Sequence, residues 1–97
     1  VKVRYTAKAL KQLDEIFSYI AEQNPGAAKR VKAKIKGAIK RLGRHPYSAR
    51  PTERPGIRVL AVVRFPYLVF YTVDESAGEV HILRIRHSSQ DPAHHLD

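Results

Sequence analysis

The sequence predicts an α+β domain of order β-α-α-β-β-β, a helical hairpin packed on a small antiparallel sheet. Two apolar stripes at helical spacing lie between residues 7 and 42, and a short Asn-Pro break joins them. Three apolar runs then follow one another between Ile57 and His87, each bounded by turn residues. The helical stripes need an apolar sheet face to cover them, and the three runs supply it.

The elements read as follows. Val1, Val3 and Tyr5 alternate with Lys2 and Arg4, which predicts a short half-exposed strand. Thr6 caps a helix whose stripe is Leu10, Leu13, Ile16, Phe17 and Ile20, ending near Gln23. Asn24 is an N-cap and Pro25 suits the first helical position of a second helix. That helix buries Ala28, Val31, Ile35, Ala38, Ile39 and Leu42, and Gly43 ends it as a C′ residue. So short a connection implies an antiparallel hairpin. Residues 44–56, "RHPYSARPTERPG", hold three prolines and little apolar material, which predicts a loop long enough to suspect of function. The strands Ile57–Phe65, Tyr67–Val73 and Val80–His87 follow, separated by Pro66 and by the turn from Asp74 to Gly78. Because the helical hairpin returns the chain to its starting end, the first strand is expected antiparallel to the second, and the whole sheet antiparallel.

Bulk properties narrow the function. At 97 residues the chain makes a single domain, 1–97, with one modest core, and 43% apolar content suits a self-folding protein. The absence of cysteine excludes disulfide and thiolate chemistry and fits a reducing cytoplasm. No segment resembles a signal peptide, and no apolar run approaches the roughly 18 residues that span a bilayer. Val1 stands where an initiator methionine belongs, which implies a processed or truncated start. A formal charge of +9 and a pI near 10.2 point to nucleic acid, an acidic protein or an anionic membrane surface.

The basic residues are patterned. Lys29, Arg30, Lys32, Lys34, Lys36, Lys40 and Arg41 share the second helix with no acidic residue. Several stand four apart, so the helix tolerates repulsion of a few tenths of a kcal/mol per pair, about 0.2–0.5. Such a face is either a solvated surface or an electrostatic docking surface for an acidic partner or phosphates. On the strands, period two sets Ile57, Val59, Ala61, Val63 and Phe65 on one face, with Arg58, Leu60, Val62 and Arg64 on the other. It sets Arg84 and Arg86 with Val80 and Ile82, opposite Leu83, Ile85 and His87. If the helices cover the apolar face, Arg58, Arg64, Arg84 and Arg86 form a basic groove on the other. The competing reading pairs them with Glu53, Asp74, Glu75 or Glu79.

Histidines offer less. His94 and His95 lack a second ligand pair, so no metal and no cofactor is expected; His45 reads as a loop residue and His81 as a packed strand residue. His87 ends the arginine-bearing strand before the polar "SSQDP" segment. It can act as a general acid while the arginines stabilise a phosphorane-like transition state.

The segments "LKQLDEIFSYIAEQNPGAAKRV", "RPTERPGIRVLAV", "RFPYLVFYTV" and "VHILRIRHSSQDP" together resemble the ParE branch of the RelE/ParE toxin superfamily, from Val3 to Pro92. The resemblance implies the toxin half of a bacterial type II toxin–antitoxin module, neutralised by a ParD-like antitoxin whose acidic, disordered segment folds across it. With the one-signed helix, it places that partner at Leu13, Phe17, Lys32, Lys36 and Lys40. ParE-like members act on DNA gyrase, for which Arg58, Arg64, Arg84, Arg86 and His87 are the target-binding candidates. RelE-like members cut mRNA on the ribosome, and Arg64, Arg84, Arg86 and His87 would then be catalytic. No lysine follows Lys40 and no tyrosine follows His87, departures from the RelE pattern that favour the gyrase branch.

Overall fold

A computed structural model describes residues 1–90 and contains β1 (Lys2–Tyr5), α1 (Ala7–Ala21), α2 (Pro25–Leu42), β2 (Arg50–Pro51), β3 (Ile57–Ala61), β4 (Tyr67–Asp74) and β5 (Glu79–His87), then a 3₁₀ turn, Ser88–Gln90. The five strands form one sheet in the order β1-β5-β4-β3-β2. The helical hairpin covers one face of this sheet. None of the described helices is long and apolar enough to cross a membrane.

Both helices start where their caps predict. Thr6 Oγ1 accepts the Ala9 N–H at 3.1 Å, and Asn24 Oδ1 accepts the Ala27 N–H at 3.0 Å. Each such cap is worth about 1 kcal/mol. Gly43 ends α2, but with φ −65° and ψ −28° it is right-handed, not the left-handed C′ expected. Glycine eases the packing there for another reason: a Cβ would stand 3.0 Å from the Val1 carbonyl oxygen, so that neighbour would have to yield by a few tenths of an ångström.

Three expectations about the sheet are corrected. The first strand pairs parallel to β5, with Val3 opposite Val80, so the sheet is mostly rather than wholly antiparallel. It also runs parallel to β3, because two antiparallel steps, β5 to β4 and β4 to β3, separate them. The strand read as Ile57–Phe65 stops at Ala61, and Val62 to Pro66 form a turn in which Arg64 has φ +72°. The loop read over residues 44–56 contains the two-residue edge strand β2, whose Pro51 an edge strand tolerates.

A β-bulge decides which side chains face the helices. Phe70 lies opposite Arg84, but Tyr71 lies opposite Ile82, leaving Leu83 as an extra residue in β5. Val80, Ile82 and Ile85 therefore all face the helices with Val69 and Tyr71, all at most 2% exposed. Ala9, Leu13, Ile35, Ile39 and Leu42 close the core from above. Beyond the reach of β1, the Ile85 N–H donates at 2.8 Å to Gln12 Oε1 of α1, so the helix side chain replaces the missing strand.

Tyr71 ties the long loop to this core. Its hydroxyl donates at 2.8 Å to the Pro46 carbonyl, and burial pushes its pKa up. Tyr71→Phe removes the donor and leaves that carbonyl unsatisfied, at a cost of about 1–2 kcal/mol. Urea unfolding should report a lower midpoint with unchanged slope, and limited proteolysis should cut residues 44–56 sooner.

Candidate functional site

The face of the sheet opposite the helices is the candidate interface. Register sorts its residues into rows that run across the strands. One row reads Arg50, Val59, Phe70, Arg84, and the next Ala61, Leu68, Arg86. An apolar strip is thus bordered by guanidinium groups on both sides. Val59 is 4% and Leu68 7% exposed, although neither described α-helix lies on this face. The Arg84 side chain makes no hydrogen bond or ion pair with any of the described residues.

The four-arginine groove expected from the sequence is not formed, because its members part. Arg84 and Arg86 share the open face, whereas Arg58 stands opposite Tyr71 and faces the helix side. Arg58 is spent within the fold. It donates to the Ala49 carbonyl at 2.6 Å and to the Tyr47 carbonyl at 3.4 Å, with its guanidinium 5.0 Å from the Tyr47 ring centre. Tyr47 in turn donates to Glu75, which pushes its own pKa up, so Arg58 and Tyr47 strap the 44–56 loop to the sheet. Arg64 projects from the exposed β3–β4 turn in a backbone conformation that glycine would adopt more easily.

His87 also parts from Arg84 and Arg86. As alternation predicts, His87 shares a face with Ile85, opposite Arg84 and Arg86; the bulge brings Val80 and Ile82 onto that same helix-side face, where His87 lies opposite Tyr67. The two rings meet edge to face, 5.6 Å between centres at 86°. His87 Nδ1 accepts the Ser89 N–H at 3.1 Å, so the neutral ring carries its proton on Nε2. Burial raises the pKa of Tyr67, and the nearby Tyr19 phenol raises it further. The structure thus sets Tyr67 beside His87, a tertiary contact that no tyrosine near the end of the sequence signals. His94 and His95, and the Asp91–Pro92 end of "SSQDP", lie outside the described residues. Among the described residues no three His, Asp or Glu side chains come together to hold a metal ion.

Of the residues assigned to a partner on the hairpin, Leu13 is in the core at 2% exposure and has no surface to offer. Phe17 is half-buried, with Lys32 Nζ 4.9 Å above its ring centre, and Lys36 and Lys40 are exposed on the same flank of α2. Two residues went unnoticed in the sequence. Arg50 sits inside a proline-rich stretch without strand signal, and Arg4 shares Glu79 with His81. The Arg4 Nε donates at 2.5 Å to one Glu79 oxygen, and His81 Nε2 meets the other at 2.8 Å. Glu79 is therefore occupied by neighbours other than Arg84.

Comparison with known proteins places this architecture. The family model described as "ParE toxin of type II toxin-antitoxin system, parDE" matches residues 3–92. The chain belongs to the ParE toxin family. A Sinorhizobium fredii protein that bears the name toxin Y4kP is 37% identical over 89 residues, covering 92% of this chain and 90% of its own. Toxin RelE2 of Caulobacter vibrioides is equally 37% identical over 89 residues, 92% of this chain and 97% of its own. Among solved structures, the chromosomal ParDE toxin–antitoxin system of P. aeruginosa has a chain that superposes with a TM-score of 0.79 at 29% identity, covering 90% of this chain and 95% of that one. The two-helix, five-strand ParE architecture seen here is thus shared along nearly the full length.

The Glu79 junction has a pH signature. His81 first, and Arg4 second, hold its carboxyl below the usual value of 4.5. A carboxyl lowered on folding stabilises the native state above its unfolded pKa and loses that contribution as the pH falls through the folded one. Glu79→Gln should therefore be less stable than the natural chain at neutral pH. The gap in melting temperature should narrow as the pH falls below 4.5. A constant gap would mean that the junction adds nothing through charge.

Proposed function

We propose that the chain is a toxin neutralised by a cognate antitoxin, and that it acts in the cytoplasm by inhibiting DNA gyrase. Family membership supports the toxin role. The observation that carries the target reading is the open sheet face, where the Arg84 side chain stands without a described partner beside half-buried Phe70, over the buried Val59 and Leu68. Arginines around a partly exposed aromatic ring are suited to a protein surface with acidic groups, since anchor and counter-charges then act together.

A ribosome-dependent mRNA endonuclease is the second reading, favoured by the 37% identity to a protein named Toxin RelE2. Catalysis of that kind needs an acid converging with phosphate-binding cations on one reacting centre. Here His87 occupies the face opposite Arg84 and Arg86, which weighs against it.

Purified toxin should inhibit gyrase supercoiling, and Arg84→Ala should weaken this about tenfold to hundredfold, the equivalent of about 1.5–3 kcal/mol for one charge-assisted hydrogen bond. The variant should keep its melting temperature and its antitoxin. His87→Ala should change inhibition little. Codon-specific mRNA cleavage on ribosomes, abolished by His87→Ala and with gyrase untouched, would establish the endonuclease instead.

A further inference from the structure

We infer that Arg50 is a further target-binding residue and that Arg58 is the residue that positions it, an inference that deepens the proposed reading of the open sheet face and rests on it. Arg50 stands opposite Val59 at the outer edge of the sheet, in the row that continues through Phe70 to Arg84. Its side chain is exposed and makes no hydrogen bond or ion pair with any of the described residues. Three strand spacings, about 14 Å, separate the backbones of Arg50 and Arg84, and half-buried Phe70 lies between them. Guanidinium groups on either side of one aromatic ring fit a protein surface that offers a cavity for the ring and a carboxylate on each side of it.

Local structure alone would leave Arg50 loosely held. The strand β2 is two residues long, and its Pro51 has no N–H to give to a ladder. Side chains supply what the ladder lacks. Arg58 donates at 2.6 Å to the carbonyl of Ala49, the residue just before Arg50. On the far side, the Thr52 N–H donates at 2.9 Å to the Ile57 carbonyl, and the Thr52 hydroxyl donates to the same oxygen at 2.8 Å. Tyr71 holds the Pro46 carbonyl, and Tyr47, under the Arg58 guanidinium, reaches Glu75. The backbone on both flanks of Arg50 is therefore fixed. Its side chain meets a partner without the entropy loss that ordering a free loop entails.

Arg58 acts from the other side of the sheet. It stands opposite Pro51 and Tyr71 and faces the helices, so its charge is not presented where Arg50 and Arg84 are. Its effect on a target is thus indirect, through the place at which it holds Arg50. Two plainer roles compete with this one. The aliphatic stem of Arg50 can serve only to shield Val59, its register partner, and Arg58 can serve only to stabilise the fold. The first role does not need the Arg50 charge, and the second does not need Arg50 at all, so substitutions separate both from the inference.

The full chain and its variants are compared in two assays, growth arrest on induced expression and inhibition of gyrase supercoiling by the purified protein. Arg50→Gln keeps an aliphatic stem and removes the charge. It should keep the melting temperature and need about tenfold more protein for the same effect in both assays. Arg58→Ala releases the Ala49 carbonyl and, assayed well below its melting temperature, should weaken the natural chain about tenfold. In the Arg50→Gln background the same change should cost less than about twofold, because the residue it positions is already lost. An Arg58 that only stabilised the fold would weaken both backgrounds alike. Arg58→Lys, which still offers a donor to that carbonyl, should recover most of the inhibition. Should Arg58→Ala fail to fold, Arg58→Met, which keeps the stem but no donor, takes its place. Full potency of Arg50→Gln in both assays, or an equal loss from the Arg58 change in both backgrounds, overturns the inference and leaves the proposed function standing. Growth arrest relieved by Arg50→Gln, from a chain that leaves gyrase untouched, supports the inference and removes the gyrase reading. A natural chain that neither arrests growth nor inhibits gyrase overturns both.

Discussion

The bulge at Leu83 is the constraint on which the rest of the molecule depends. Without it, strict alternation would carry Arg84 and Arg86 to the side of Val80 and Ile82, beneath the helices. Two guanidinium groups would then enter an apolar core with no acidic partner, at a cost that a domain of this size cannot bear. With one extra residue, Ile82 and Ile85 both reach the core and the arginines turn outward. A single local irregularity therefore separates the side chains of β5 that enter the core from the arginines that face outward. Bulges beside functional sites commonly re-aim side chains in this way.

The same separation runs through the basic residues as a whole. Arg58 and Arg4 are committed to internal partners, one holding the 44–56 loop and the other joining β1 to β5. The exposed cations of α2 flank an open strand edge, and Arg84 and Arg86 occupy the broad open face. The net charge of +9 is thus divided between cations held by internal partners and cations presented on two separate surfaces.

Much of this was legible in the sequence where the signals were local. Thr6, Asn24 and Pro25 mark the helix starts to the residue, and the stripe from Ala28 to Leu42 is buried as its spacing predicts. Strand order and direction were not legible, because the partner of β1 is fixed by a pairing some 77 residues away, Val3 with Val80. The bulge escaped because Leu83 is as apolar as its neighbours and nothing in "HILRIR" marks an interrupted alternation. Arg58 read as a surface cation because its acceptors are backbone carbonyls, which a sequence does not display. Arg64 read as a strand residue because Val62 and Val63 extend the apolar run beyond the point where the ladder ends.

The facing of Arg84 is the claim from which the others descend, and the chain's lack of cysteine makes it directly measurable. Arg84→Cys and Ile85→Cys variants are compared for the rate at which a water-soluble disulfide reagent labels the folded protein. The account predicts ready labelling at position 84 and strong protection at position 85, with both labelling alike in urea. Protection at position 84 with ready labelling at position 85 would mean that β5 alternates without a bulge, and that the arginines do not face outward.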